Sequence, residues 1–181
     1  MPHVCPWWQV YTFDNALRGL VHNVDAIFGP YVEPGMTALD IGCGRGFTTL
    51  ALARLVGPEG KVTAVDLQPQ MLDMLKKRAE KAGLADRIHL HRCEADSIGI
   101  QTQVDFVNAF WMVHEVPNRK GFLVETHSCL HENGKLLIAE PSFHVSVPAF
   151  KATVEEALSV GFAEYDEPRV RFSRAAALKA E

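Results

Sequence analysis

The chain has 181 residues, 48% apolar and 22% charged, which is ordinary globular composition and enough for one domain with a sizeable core. A formal charge of −4 argues against a nucleic-acid partner, since phosphate contacts need clustered Lys and Arg. Its densest basic group, Lys76-Lys77-Arg78 with Lys81, falls in a helical pattern and reads as a solvated face.

The first 36 residues are rich in Trp, Tyr, Phe and His and lie outside the repeating pattern that follows, with a helix expected near 14–29. "MPHVCPWWQV" has neither a charged n-region nor an apolar h-region, so a secretory signal is not expected. No apolar run approaches the ~18 residues of a membrane span. Cys5, Cys43, Cys93 and Cys129 show no CxxC pair and no zinc-ribbon spacing, which suits reduced thiols and a cytoplasmic location.

From residue 37 strand and helix patterns alternate. Short β-rich runs stand at "TALDI" (37–41), "KVTAVD" (61–66), "RIHLHR" (87–92), "VDFVNAF" (104–110) and "KLLIAE" (135–140). Helical segments intervene at 47–56, at 69–83 with Pro69 at its start and Gly83 as its stop, at 119–134 ending on Asn133-Gly134, and at 147–161. "DSIGIQTQ" (96–103) is too short for a crossover helix. "FAEYDE" and "VRFSRAAALK" read as an antiparallel pair around Pro168-Arg169 at the sheet edge. The expected fold is α/β, a doubly wound, mostly parallel sheet with a C-terminal antiparallel hairpin, its main domain spanning 37–181 after the 1–36 segment.

"LDIGCGRGF" places Gly42, Gly44 and Gly46 behind an apolar strand. A dinucleotide fingerprint, G-x-G-x-x-G, would put its third glycine at position 47, which is Phe47. A P-loop would need Lys followed by Ser or Thr after the last glycine, and none follows. What stands here is D-x-G-x-G-x-G, followed by Asp66 at the end of the second strand, where a carboxylate is placed to accept ribose hydroxyls.

With "ALDIGCGRGFTTLALA", "VTAVDLQPQML", "CEADSI", "VDFVNAFWMVHEVPN" and "LHENGKLLIAEP" in this order, the chain resembles the S-adenosylmethionine-dependent methyltransferases of the seven-stranded Rossmann-like fold over residues 37–181. The resemblance implies S-adenosylmethionine as cofactor and S-adenosylhomocysteine as product. It puts Asp40, Gly42, Cys43, Gly44 and Gly46 at the methionyl end, Asp66 on the ribose and Leu67 on the adenine ring. Asp96, with Ser97, meets the adenine amino group, and backbone near Ala109 and Phe110 holds the methionyl ammonium.

The acceptor side is more individual. Nucleic-acid amino methyltransferases carry an (Asn/Asp)-Pro-Pro-aromatic tetrapeptide after the fourth strand; here "NAFW" stands there, without prolines, and there is no Pro-Cys nucleophile. The region resembles the small-molecule branch, including the ubiquinone and menaquinone biosynthesis methyltransferases. His114 and Glu115 lie beyond the fourth strand, and Glu140 and His144 at the end of the fifth, where open α/β sheets bind ligands. These four are the candidate catalytic residues. The competing reading has His114 capping the next segment and Glu140 pairing with a cation; no spacing enforces a metal site. His89, His91 and Cys93 alternate at period two and read as structural.

Trp7 and Trp8 are costly to expose. The resemblance implies that they belong to a lid over the acceptor; the alternative is that they cover the bottom of the sheet or a partner subunit in a homodimer. The expected activity is methyl transfer to a small molecule. A non-catalytic module that binds S-adenosylmethionine or S-adenosylhomocysteine and contacts a protein partner is the second reading. A nicotinamide oxidoreductase is disfavoured by Phe47 and by the terminal hairpin.

Overall fold

The computed structural model describes residues 22–181. Seven strands form one sheet: β1 Thr37–Ile41, β2 Lys61–Asp66, β3 Ile88–Arg92, β4 Val104–Phe110, β5 Leu130–Pro141, β6 Phe162–Asp166 and β7 Ser173–Ala180. Their spatial order is β3-β2-β1-β4-β5-β7-β6. The first five are parallel, while β7 runs antiparallel to both β5 and β6. The chain reverses its direction of travel across the sheet between β1 and β4, so their carboxyl ends open a crevice of the kind that binds ligands in such sheets.

Alternation along the strands sends side chains into two cores. Ala38, Val62, Ala64, Phe106 and Leu137 face one layer, made by α1 Val24–Phe28, α2 Phe47–Leu55 and α3 Pro69–Ala82. Leu39, Val65, Val107, Leu136, Ile138 and Leu178 face the other, under α4 Arg119–Ser128 and α5 Val147–Ser159. Within the first layer Phe28 is fully buried edge-on against Phe106, and Tyr31 stacks on the same ring and donates to Asp166 at 2.6 Å. The end of the N-terminal segment is therefore part of the core. Residues 1–21 of the expected lid segment, Cys5, Trp7 and Trp8 among them, lie outside the described residues.

Most expected elements fall within a residue or two of their observed limits. Within the helix expected near 14–29, the described residues are helical only from Val24 to Phe28, with Asn23 as the cap. The larger exception is the helix expected to stop at Asn133-Gly134. It ends at Ser128, and β5 starts at Leu130, so that dipeptide sits inside a strand. The ladder explains it: Leu130 pairs with Val104, but Lys135 pairs with Phe106, and the extra residues of β5 bulge out with Asn133 at φ 65°. A turn signal marked an irregular strand here, because Gly and Asn serve bulges as well as helix ends. Among the described residues no helix is long and apolar enough to cross a membrane.

Candidate active site

The glycine turn joins β1 to α2, and its three glycines do different work. All have positive φ: 68° at Gly42, 52° at Gly44 and 85° at Gly46. A methyl group added at Gly46 would stand 2.1 Å from Leu75 Cδ1, and one at Gly42 would stand 2.8 Å from Met112 Cβ. These two glycines let α3 and the segment after β4 pack close. A methyl at Gly44 would meet nothing within 4 Å, so Gly44 is the glycine that faces open space.

Asp40 holds the turn from below. Buried to 1% exposure, its carboxylate accepts from Thr48 Oγ1 at 2.9 Å, Thr49 Oγ1 at 2.5 Å and Asn108 Nδ2 at 2.7 Å. It thus ties β1 to the first turn of α2 and to β4. Cys43 is buried, its thiol pushed well up by burial and then by the charges of Asp66 and Asp40, so it packs as a thiol rather than a thiolate.

Asp66 ends β2 directly behind this turn. One carboxylate oxygen accepts from Gly44 N at 2.9 Å and the other from Gln68 N at 2.9 Å. No Lys or Arg pairs with it among the described residues. Burial raises its pKa, the two backbone donors oppose that, and Asp40 and Glu115 add to the rise. Each oxygen keeps a lone pair, so the carboxylate can accept two further hydrogen bonds. Leu67, half-buried, follows it.

Asp96 and Ser97 lie on the exposed loop after β3. What shapes that loop is Glu125, from α4, which the sequence reading did not single out. Its carboxylate accepts from Ser97 Oγ at 2.9 Å, Ile98 N at 2.9 Å and Gly99 N at 2.8 Å. The contact spans more than 25 positions, and nothing local in "ETHS" announces it. Ala109 is fully buried in β4, and Phe110 turns its ring to the opposite layer, 5.4 Å from the His22 ring.

Beyond β4 the backbone is strained. Trp111 has φ 61°, a conformation costing a bulky residue ~1–2 kcal/mol. It is held by its own N–H to Ala139 O at 2.7 Å and by its indole N–H to Ser173 Oγ at 2.8 Å. The kink brings His114 over the end of β5. His114 Nδ1 lies 2.5 Å from Glu140 Oε2, while Glu140 Oε1 accepts from Val113 N at 2.9 Å. The Glu140 side chain is 2% exposed and that of His114 19%. The His144 ring lies 4.8 Å from that of His114, and Glu115 Oε1 is 3.9 Å from His114 Nε2. All four candidate catalytic residues therefore converge, and Glu140 pairs with His114 rather than with a Lys or Arg. Burial lowers the His114 pKa, but the hydrogen bond to Glu140 and the charges of Glu140 and Glu115 outweigh it, leaving a net rise. Among the described residues no group of His, Cys, Asp and Glu is arranged to hold a metal ion.

Arg174, also unforeseen, fixes the turn that carries His144. Its Nη1 donates to Ser142 O at 2.7 Å and Val145 O at 2.6 Å, one carbonyl on either side of Phe143-His144. The same turn is tied to the start of β7 by Ser142 N and Oγ, both donating to Phe172 O.

Comparison with known proteins places this architecture. A family model described as a methyltransferase domain matches residues 32–167. The carboxy-S-adenosyl-L-methionine synthase of Dichelobacter nodosus is 32% identical over 128 residues, covering 69% of this chain and 53% of that protein. The demethylmenaquinone methyltransferase of Lactobacillus johnsonii is 35% identical over 112 residues, covering 61% and 46%. The chain thus spans about half the length of these curated relatives. A crystal structure of a SAM-dependent methyltransferase from Aquifex aeolicus superposes with a TM-score of 0.86 at 21% identity, covering 98% of both chains.

Proposed function

The chain belongs to the class I S-adenosylmethionine-dependent methyltransferases, and from that premise we propose that it methylates a small molecule held at the carboxyl ends of β4 and β5. The observation that carries the cofactor half of this reading is Asp66. It is a buried carboxylate with one acceptor position filled on each oxygen, set behind a turn whose Gly44 faces open space. Two vicinal hydroxyls match that donor demand. The residues present therefore fit the cofactor: Asp66 for the ribose, Gly44 for close approach, Leu67 and the Asp96–Ser97 loop for the adenine, and backbone near Ala109 and Phe110 for the ammonium.

The cofactor supplies a methyl group already activated on a sulfonium. The protein's task is then alignment, which can contribute ~7–11 kcal/mol, and removal of a proton where the acceptor carries one. His114 suits the second role. His114 Nδ1–H donates to Glu140 Oε2, which fixes the tautomer and leaves the Nε2 lone pair to receive a proton from the acceptor. Glu140 acts through His114 and is itself held by Val113 N. His144 and Glu115 flank the imidazole. This base-and-orienter pair favours an enzyme over a binding module, which would have no use for it.

Calorimetry with the wild-type protein tests the reading. S-adenosylhomocysteine should bind, and NAD should not. Binding of NAD with no response to S-adenosylhomocysteine would overturn it.

A further inference from the structure

The loop after β3 is held from outside its own strand. Residues 94–97 close a tight turn in which Glu94 N donates to Ser97 O at 3.1 Å. Gly99 has φ 72°, and a methyl group there would stand 3.1 Å from His91 Nε2, so the loop is pressed onto β3. Ile98 N and Gly99 N converge on one carboxylate, that of Glu125 on α4, at 2.9 and 2.8 Å, with Ser97 Oγ as a third donor at 2.9 Å. Successive N–H groups aimed at one point form an anion-binding concavity, and here a side chain of another helix fills it.

Asp96 stands two and three residues before those N–H groups. An aspartate so placed ordinarily takes such donors for itself in an Asx turn. Here Glu125 has them, and Asp96 is exposed. A carboxylate kept off its own backbone presents its acceptor positions to a ligand. The loop also begins beside the carboxylate proposed for the ribose, since Cys93 N donates to Asp66 O at 3.2 Å. It brings together Glu94, Asp96 and Glu125, and no Lys or Arg forms an ion pair with any of them among the described residues. Such a field favours a hydrogen-bond donor and opposes an oxygen acceptor.

We propose, resting on the cofactor reading above, that Glu125 is a positioning residue for recognition of the base. By filling the N–H groups of Ile98 and Gly99 it keeps the Asp96 carboxylate off its own backbone and free to accept from the 6-amino group of adenine. In this role Glu125 acts through Asp96 and needs no contact with the cofactor. Without it, Asp96 turns inward onto Ile98 N and Gly99 N. The turn then keeps its donors satisfied, but the preference for an amino over an oxo group on the base is lost.

The full-length protein is titrated calorimetrically with S-adenosylhomocysteine and with S-inosylhomocysteine, which carry an amino and an oxo group at the same position of the base. Wild type should bind the amino compound roughly tenfold or more tightly, as one hydrogen bond to a charged group allows. Glu125→Ala should cut that preference to under about threefold, chiefly by weakening S-adenosylhomocysteine. Glu125→Gln, which retains one acceptor oxygen, should give an intermediate preference, and it decides alone if Glu125→Ala does not fold. Asp96→Ala should already lack the preference, and adding Glu125→Ala to it should leave the ratio within about twofold. A merely structural Glu125 would weaken both compounds equally. That result, a wild-type ratio in the Glu125 variants, a ratio that moves in the double variant, or a preference that is absent from wild type or survives Asp96→Ala overturns the proposal and leaves the methyltransferase reading standing. If the wild-type protein does not bind S-adenosylhomocysteine, both fall.

Discussion

The two halves of the crevice are built by opposite means. On the β1–β2 side the surface proposed to face the cofactor is largely backbone: a left-handed glycine turn, with Asp66 fixed by two main-chain N–H groups. On the β4–β5 side it is side chains holding side chains or loop carbonyls, His114 on Glu140 and Arg174 on the His144 turn. A backbone surface suits a ligand that never varies. A surface of side chains can be rewritten by substitution without moving the sheet, which is what an acceptor site in a family of many substrates requires.

On the β1–β2 side the glycines separate packing from ligand approach. Gly46→Ala forces a methyl into Leu75 at positive φ and should destabilise the fold by roughly 2–4 kcal/mol, combining overpacking with left-handed strain. Gly44→Ala meets no neighbour and should cost only the strain, ~1–2 kcal/mol, while still weakening cofactor binding. Urea denaturation orders the two; equal losses would mean the glycines share one role.

Glu140→Gln addresses the other half. Turnover should fall by about 10²-fold, or ~2.7 kcal/mol, because the imidazole loses its orienting carboxylate. The pH dependence carries a sign that can be checked. His114 has a folded pKa above its ordinary 6.5, so as a base it is active only above that raised value, and transfer falls as pH drops through it. The pair's contribution to stability runs the other way. It is fully present below the unfolded pKa of about 6.5 and is lost as pH rises through the folded value. In Glu140→Gln the acid limb should move down; a limb that stays in place would exclude His114 as the titrating base.

A smaller effect is expected at Arg174. Replacing it with Gln should lower transfer by roughly tenfold, since charged hydrogen bonds contribute about 1.5–3 kcal/mol each and the turn keeps its ties through Ser142. Imidazole NMR should show the His144 resonances shifted while cofactor affinity holds. Unchanged resonances would mean that the turn does not depend on Arg174.

The halves also differ in how far they could be read from sequence. The strands, the hairpin and the glycine turn were legible because periodicity and glycine spacing are local signals. That Gly46 packs and Gly44 faces open space was not, because the distinction rests on Leu75 in another helix. His114, Glu115, Glu140 and His144 could be named from their places at strand ends, but the bond between His114 and Glu140 is a product of β4 and β5 lying side by side. Glu125 and Arg174 left no trace, since each acts on a loop more than 25 positions away.

If binding resides on the β1–β2 side and transfer on the β4–β5 side, the affinity for S-adenosylhomocysteine measured side by side in Asp66→Ala and Glu140→Gln will separate the two. Losing a carboxylate that takes two hydroxyls should weaken binding by ~2–4 kcal/mol in Asp66→Ala. Glu140→Gln should bind within about twofold of wild type, a difference of under ~0.5 kcal/mol. Wild-type affinity in Asp66→Ala, or an equal loss in both variants, would mean that binding and transfer are not divided between the halves.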